Sequence, residues 1–325
     1  MKQAVFGGTW LRRMMKASIM LALVTISLLA FSIRNRTHER VITDRVNLTA
    51  QPSTSHLHRH GFLEMKKIVV FSLYGNRIMD RDGALANALS VPLYYLTWKP
   101  VFVVDGSIPV EFQDKLWEAG GTVIQAPSNC SDWGHARQIL RYLVLGDPTV
   151  EYAMFRDADS RISAREIASV NAWLHTNKTF HIMRDHPNHR FIIGGGMWGV
   201  HAARLRSIFD DIPQNILEYI EKRKRGPGCC LDQTWLHEMV WPLIGNDAVD
   251  HDSFHCGEYN TLSKPFPLPR DYHGDFVGLV QDTSSTELLT NGNLALWPEY
   301  RTRGEKTFKV ANPERCRRQP QHIYG

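Results

Sequence analysis

The chain has 325 residues, of which 43% are hydrophobic and 22% are charged, and its formal net charge is +5. The length suits one large α/β domain or two small ones, and the composition excludes a mostly disordered, collagen-like or multi-span membrane protein. Basic and acidic side chains number 9 and 3 in residues 1–65, 22 and 28 in residues 66–300, and 7 and 2 in residues 301–325. The predicted folded body is therefore acidic, which argues against nucleic acid as a partner.

The N-terminus predicts a membrane anchor. Residues 17–33 form an uncharged, mostly apolar run, which as a helix would span roughly 25 Å, enough for a thin bilayer. We predict a cytoplasmic tail (1–16), a signal-anchor (17–33) and a single-pass type II protein whose body lies in the Golgi or ER lumen. The alternative is a signal peptide cleaved near Ala30, which would make the protein secreted.

The polar residues 34–64 predict a stem between the anchor and the folded body. Sequons predict N-glycosylation at Asn47, Asn129 and Asn177, whereas Asn35 lies too near the membrane to be an acceptor. The cysteines number five, so at least one remains a thiol or pairs between chains. Their spacing does not assign the disulfide partners.

Apolar strand patterns alternate with helical patterns in the first half of the body. Strands are predicted at 68–73, 100–105, 122–125 and 152–155, and helices at 82–90, 110–119 and 134–145. This alternation implies an α/β fold with a mostly parallel sheet flanked by helices. Because ligands bind beyond the carboxyl ends of the strands in such sheets, we expect the site where the fourth strand ends.

The second half of the body has a less regular pattern. A strand is predicted at 180–183, a glycine-rich turn at 194–196, and helices at 202–209, 213–224 and 230–240. After Pro242 the pattern loosens into short segments rich in His, Gly and Pro, for which no strand is predicted. We expect a catalytic domain over residues 65–300 and assign no role to the basic tail, residues 301–325.

Two aspartates follow the fourth predicted strand. Asp157 and Asp159 are one residue apart, so their carboxylates can converge on one divalent cation. Mg²⁺ and Mn²⁺ prefer oxygen ligands and leave positions open for substrate phosphates. The alternative is a solvated aspartate turn. The position of the pair at a strand end favours a metal site for Mn²⁺ or Mg²⁺.

At these residues the sequence resembles the GT-A-type glycosyltransferases, Golgi type II enzymes with a D-x-D metal site. The resemblance covers roughly residues 66–280. It rests on Phe155–Arg161, His181–Pro187, Gly195–Gly199, Asp232-Gln233, Trp241–Ile244 and His251–Ser253. The resemblance implies a Rossmann-like fold and transfer of a sugar from a metal-bound nucleoside-diphosphate-sugar donor to a glycan, protein or lipid acceptor.

Several side chains near these motifs are candidates for binding the donor. Tyr74 follows the first strand, where the GT-A class holds the nucleotide, and is a candidate for stacking on the base. Cationic candidates for the donor and its phosphates are Arg77, Arg141 and Arg156. The alternatives for these residues are a core aromatic and structural salt bridges.

The sugar pocket is expected around the glycine turn and the fifth strand. Gly195 and Gly196 permit close approach of the backbone to a ligand, and Trp198 offers an apolar platform for a sugar face. A polar cluster directly after the fifth strand is predicted to contact the sugar or the acceptor. It comprises Arg184, Asp185 and His186. A core tryptophan and a structural ion pair are the alternatives.

The resemblance also implies catalytic and ligand roles late in the chain. Asp232 is the first candidate for a general base, with Asp185 as a second catalytic candidate, whereas a helix-capping acid is the alternative for Asp232. Some members of the class take a third metal ligand from a C-terminal histidine, which would be His251, or His255 in its place.

Two other functions fit parts of this pattern. A D-x-D-type phosphatase would carry its aspartates after the first strand, whereas here they follow the fourth. A non-enzymatic lumenal scaffold would have no need for both aspartates and Asp232. The sequence leaves open the donor, the acceptor and the stereochemical outcome of transfer.

Overall fold

An eight-stranded sheet forms the centre of the computed structural model. The structure describes residues 66–223, 230–259, 263–270, 276–280 and 316, without the side chains of 128–133 and 135. The strands are β1 Lys66–Leu73, β2 Trp98–Val104, β3 Thr122–Gln125, β4 Val150–Asp157, β5 Phe180–Arg184, β6 Trp198–His201, β7 Ala248–Asp252 and β8 Ser263–Lys264. Their order across the sheet is β3-β2-β1-β4-β6-β5-β7-β8.

The helices connect these strands along both faces of the sheet. They are α1 Ile78–Tyr94, α2 Val110–Glu118, α3 Ala164–Leu174, α4 Ala202–Ile208, α5 Ile212–Arg223, α6 Leu231–Trp235 and α7 Trp241–Ile244. A 3₁₀ segment, Ser128–Gly146, precedes β4, and a π-helical turn, Leu236–Val240, joins α6 to α7.

Strand direction brings most strand ends to one edge of the sheet. β1 pairs in parallel with β2 and β4, and β5 pairs in parallel with β7. β6 runs antiparallel to both β4 and β5, so its first residue lies at the edge where β4 and β5 end. This carboxyl edge therefore holds the ends of β1, β4, β5 and β7 together with the glycine turn that precedes β6. The predicted α/β class with a mostly parallel sheet is confirmed.

The sheet is buried on both faces, which explains its continuous apolar strands. In β1, Ile68 and Val70 belong to one core cluster, whereas Val69, Phe71 and Leu73 belong to the other. Each cluster gains large aromatics from the helices and neighbouring strands. The strands that carry the carboxyl edge are thus fixed from both sides.

The second half of the body differs from the sequence prediction. β7 and β8 were not expected, because β7 alternates acidic and histidine residues that suggest an exposed loop. The predicted helix 230–240 is divided into α6 and the π-helical turn, and the helix predicted at 134–145 falls within the 3₁₀ segment, where Gly134 has a φ of +54°.

Several predictions fall outside the described residues. These are the cytoplasmic tail, the anchor 17–33, the stem 34–64, Asn47 and most of residues 281–325. In the part of the chain that the structure describes, no helix has the length and hydropathy to cross a membrane. Asn177 is exposed and receives a hydrogen bond from Arg204 at 2.5 Å, whereas the side chain of Asn129 is not described. One disulfide joins Cys256 to Cys316.

Candidate active site

The D-x-D turn lies at the carboxyl edge of the sheet, and helix α1 packs tightly against it. A β-carbon on Gly83 of α1 would overlap the carbonyl oxygen of Ala158, so glycine is required for α1 to approach the turn. The Asn87 amide donates to the carbonyl oxygens of Ala158 at 3.2 Å and Ser160 at 2.9 Å. These contacts fix the turn while the side chain of Asp157 remains 55% exposed.

A buried arginine joins the turn to a second acid from a distant element. Arg141, 2% exposed, donates from Nη1 to Asp157 Oδ1 at 2.9 Å and from Nη2 to Asp232 Oδ2 at 2.7 Å. Asp232 is the second residue of the short helix α6, 91 residues away from Arg141 in the chain. Bidentate use of a guanidinium fixes the geometry of both carboxylates. Arg141 therefore orients Asp157 and Asp232, which is the structural role considered for it, and its role as a phosphate ligand stays a prediction.

Two glycines pass directly over these carboxylates. A β-carbon on Gly195 would overlap Asp232 Oδ2 and lie 2.6 Å from Arg141 Nη2. A β-carbon on Gly196 would lie 2.5 Å from the Asp157 carboxylate carbon. The hydroxyl of Tyr142 donates to the carbonyl oxygen of Gly195 at 3.0 Å and holds the turn in place. Only glycine fits at both positions with this side-chain arrangement.

Excess negative charge collects around the turn. Burial, followed by repulsion from Asp157 and Asp80, raises the pKa of Asp159 to about 6, although the positive charge of Arg77 opposes the shift. Arg77 lies 3.6 Å from Asp80 and 3.7 Å from Asp159. Sequence reasoning missed Asp80. The signal for it was an acid in the first turn of the helix that follows the first strand.

These residues fit a divalent cation. The donor atoms are carboxylate oxygens, which suit Mg²⁺ and Mn²⁺, and the half-exposed Asp157 is open toward solvent. Because Gly196 has no side chain, its backbone approaches the Asp157 carboxylate without displacing it. The Arg77 guanidinium already acts as a positive counter-ion beside Asp159. Asp157 and Asp159 are thus the residues that would hold a cation.

His251 does not join this pair. It lies within β7, and β6 and β5 separate β7 from β4, which corresponds to about 14 Å of sheet. Its Nδ1 is 2.9 Å from Nε2 of His181. Among the described residues, Asp157, Asp159 and His251 do not form a group whose ligand atoms lie within 4.8 Å of one another. The prediction of His251 as the third ligand is corrected, because its ring serves a buried histidine pair.

The alternative ligand, His255, is also engaged elsewhere. Its Nε2 is 3.1 Å from the carbonyl oxygen of Pro187, and its Nδ1 is 3.2 Å from Glu258. Both ring nitrogens therefore have protein partners, which leaves His255 without a ring nitrogen for a cation in this arrangement.

The predicted roles of Arg156 and Trp198 in donor binding are corrected as well. Arg156 is 2% exposed and donates to Glu166 at 2.6 Å and to the carbonyl oxygens of Phe155 and Trp198. Trp198 is fully buried and stacks on Phe155 with ring centroids 4.7 Å apart. Arg156 balances a buried acid and Trp198 fills the core, so neither presents a surface to a sugar.

The polar cluster after β5 is a buried network of ion pairs. Arg184 pairs with Asp250 and, at 2.7 Å, with Asp252. Asp185 is fully buried and accepts hydrogen bonds from Arg165 at 2.7 and 2.9 Å. The predicted contacts of Arg184 and Asp185 with sugar or acceptor are corrected, because both side chains are satisfied by protein groups.

Asp185 has a structural task at this edge. Its carboxylate also receives hydrogen bonds from Ser253 at 2.6 Å, Arg270 at 2.8 Å and the backbone N–H of Val277 at 3.0 Å. Burial alone would raise the pKa of Asp185, but hydrogen bonds and charge from Arg165 and Arg270 lower it. Asp185 therefore anchors the late segments of the chain to β5, and its burial among these partners favours this structural role over the predicted catalytic one.

Three histidine and aromatic side chains line the neighbouring loop. The ring of His186 is 4.5 Å from Phe276, and the ring of His189 is 5.2 Å from that of His186. His186 is 5% exposed and accepts a hydrogen bond from the N–H of Asn188 at 3.0 Å, so it shapes the loop. Burial lowers the pKa of His189 to about 4, and Asp157 opposes that shift. Sequence reasoning missed His189, since an isolated histidine in a polar loop carries no pattern.

Tyr74 lies at the end of β1, as predicted, beside a cationic side chain. The Arg137 guanidinium is 5.1 Å from the centre of the Tyr74 ring and is paired with Asp105 at the end of β2. Ser107 receives a hydrogen bond from the N–H of Gly75 at 2.6 Å and binds Asp105. This cluster joins the ends of β1 and β2, so the base-stacking role of Tyr74 remains a prediction.

Comparisons with known proteins give similarity of fold alone. No family model and no curated protein matches the chain. Among solved structures, the chain is similar to the apo glycosyltransferase GlyE of Streptococcus pneumoniae, with 16% identity, a TM-score of 0.41, and 57% of this chain and 45% of that chain covered. The chain thus spans less than half the length of GlyE.

Two other similar structures carry different printed activities. The mannosyltransferase PcManGT of Pyrobaculum calidifontis, solved with GDP-Man and Mn²⁺, is 14% identical, with a TM-score of 0.36, over 79% of this chain and 70% of that chain. The 4-diphosphocytidyl-2C-methyl-D-erythritol synthase of Anaerococcus prevotii is 13% identical, with a TM-score of 0.35, over 55% and 84%. These likenesses do not decide among activities.

Proposed function

We propose that this protein is a divalent-cation-dependent glycosyltransferase of the GT-A type. It would move a sugar from a nucleoside-diphosphate-sugar donor to a hydroxyl of a glycan, protein or lipid. The observation that carries the proposal is the joining of Asp157 to Asp232 by Arg141, with Gly195 and Gly196 passing directly over both carboxylates. That arrangement sets an exposed carboxylate, which we propose binds the cation, beside a buried carboxylate of fixed orientation.

The aspartates of the D-x-D turn and Asp232 have different proposed roles. Asp157 and Asp159 would hold Mn²⁺ or Mg²⁺, which when bound neutralises the charge that develops on the diphosphate leaving group. Asp232, oriented by Arg141, would accept a hydrogen bond from a hydroxyl of the donor sugar or the acceptor. The cation also explains how an acidic body would bind an anionic donor.

We propose the secretory lumen as the location of the body. The predicted anchor at 17–33 supports this. The disulfide between Cys256 and Cys316 also supports it, because structural disulfides persist in oxidising compartments.

A nucleotide-sugar panel tests the proposed activity. The full-length protein in detergent is incubated with Mn²⁺ and UDP-, GDP-, CDP- or ADP-linked sugars, and release of the nucleotide is measured with and without mixed glycan acceptors. We expect cation-dependent turnover of at least one donor, lost in the double variant Asp157→Ala/Asp159→Ala. The matched control removes two exposed acids of α5, Glu218→Ala/Glu221→Ala, and should retain activity. Cation-dependent turnover in the first double variant would overturn the site assignment.

A further inference from the structure

Two arginines neutralise the acids of the D-x-D turn, and they differ in how firmly they are held. Arg141 is buried and forms hydrogen bonds of 2.9 and 2.7 Å. Arg77 is 57% exposed, and its guanidinium nitrogens lie 3.6 Å from Asp80 and 3.7 Å from Asp159. Those distances are too long for hydrogen bonds. Exposed ion pairs of this kind contribute little stability, so the contacts of Arg77 can be broken at low cost.

The two acids beside Arg77 are less exposed than the arginine itself. The side chains of Asp80 and Asp159 are 19% and 18% exposed. One exchangeable guanidinium therefore supplies the positive charge for two partly buried carboxylates. A divalent cation bound to Asp157 and Asp159 would carry twice that charge and approach oxygen ligands to about 2.1 Å, closer than Arg77 does. It would also repel the guanidinium.

We infer that Arg77 is an exchangeable counter-ion, which occupies the acids of the D-x-D turn until a cation displaces it and then binds the diphosphate of the donor. This inference rests on the proposed function. Arg77 precedes the first residue of α1, so its long side chain can leave the acids without any movement of the helix. A freed guanidinium suits a diphosphate, because it presents paired N–H donors to anionic oxygens.

Exchange of Arg77 for the cation predicts a change in cation affinity, which a contact with the donor alone would not cause. Removing Arg77 should strengthen binding of the cation alone, because the cation no longer competes with the guanidinium. Removing Arg77 should also weaken binding of a nucleoside diphosphate once the cation is saturating. A residue that only contacts the donor would show the second effect without the first.

The test measures the two affinities separately on the full-length protein. Free Mn²⁺ is followed by electron paramagnetic resonance without nucleotide, and UDP, GDP, CDP and ADP are then titrated calorimetrically at saturating Mn²⁺. For Arg77→Ala and Arg77→Gln we expect Mn²⁺ to bind roughly twofold to fivefold more tightly and the preferred nucleotide to bind about tenfold more weakly. Arg77→Gln keeps most of the side-chain length and tests whether the loss of charge is the cause.

A neighbouring arginine provides the control. Arg81 lies on the same helix but donates to the carbonyl oxygens of Gly75 at 3.3 Å and Ser107 at 3.5 Å. Arg81→Ala should change the Mn²⁺ affinity by less than about twofold. Unchanged or weaker Mn²⁺ binding in both Arg77 variants would overturn the exchange while leaving the proposed function intact. Mn²⁺ binding that is indifferent to Asp157→Ala/Asp159→Ala would overturn the metal site itself.

Discussion

Adding one methyl group at Gly195 or at Gly196 should give two distinct defects. At Gly195 the methyl would overlap Asp232 Oδ2 and lie 2.6 Å from Arg141 Nη2. Asp232 and Arg141 are buried and joined by a hydrogen bond, so neither side chain can adopt another rotamer to make room for the methyl group. Overpacking of this kind costs about 1–3 kcal/mol. We expect Gly195→Ala to lose both stability and activity.

At Gly196 the conflict is with the exposed Asp157 side chain, 2.5 Å from the added carbon. Asp157 is 55% exposed, so it can rotate into solvent by giving up its hydrogen bond from Arg141, and we expect a stability loss of about 1 kcal/mol. Rotation removes one of the two carboxylates from the cation, and Mn²⁺ affinity should therefore fall at least as strongly as in Asp157→Asn.

Urea unfolding, Mn²⁺ titration and donor turnover separate these two outcomes. Gly106→Ala is the matched control, because a β-carbon there meets no atom within 4 Å. For a domain of this size, each kcal/mol lost should lower the melting temperature by about 2–4 °C. Native stability in Gly195→Ala, or unchanged Mn²⁺ affinity in Gly196→Ala, would refute the reasoning about the glycine turn.

Two further predictions test the revised roles of Asp185 and His251, and a third tests the disulfide. Asp185→Asn should lower the free energy of unfolding at pH 7 by about 3–5 kcal/mol, since it leaves Arg165 without its charge partner. The pKa of Asp185 in the folded protein lies below its ordinary 3.8, so its contribution to the free energy of unfolding is present above that pH and is lost as pH falls through the folded value. The stability difference between wild type and Asp185→Asn should therefore shrink in acid. A difference that stays constant with pH would contradict this. Burial lowers the pKa of His251 from 6.5 to about 3, so the free energy of unfolding of the wild type should fall as pH decreases from 6.5 toward 3, by up to ~1.4 kcal/mol per pH unit. His251→Gln should reduce this dependence on pH. Loss of Mn²⁺ binding in His251→Gln would instead support His251 as a metal ligand. Reducing Cys256–Cys316, which spans 60 residues, should cost about 4 kcal/mol of stability, whereas an unchanged urea midpoint for Cys256→Ser/Cys316→Ser would argue against that bond.

The carboxyl edge could be predicted because local patterns determine it. The apolar run before Asp157 indicates a buried strand, and strand–helix alternation places the end of that strand at the ligand-binding edge of the sheet. Gly195 and Gly196 were expected to let the backbone approach a ligand closely, and that role stays a prediction. The sequence could not indicate that the approaching groups would be Asp232 and Asp157 themselves.

The buried ion pairs could not be predicted, because their partners are distant in the chain. Arg184 and Asp250 are 66 residues apart, and Arg165 and Asp185 lie on different elements. Taken one at a time, these side chains suggest an exposed binding cluster, and the charged pattern of β7 suggests a loop. Their burial follows only from pairing, which compensates the desolvation of each charge. Trp198 failed as a sugar platform for a related reason, since spacing does not reveal which face of β6 is covered.

Cation-dependent binding of a nucleoside diphosphate tests the central claim most directly. UDP, GDP, CDP and ADP are titrated calorimetrically into the full-length protein with and without saturating Mn²⁺, and into Asp157→Ala/Asp159→Ala under the same conditions. We expect one nucleotide to bind the wild type only with Mn²⁺, and the double variant to lose that binding while keeping its melting temperature. Equal binding without the cation, or undiminished binding by the double variant, would contradict the account.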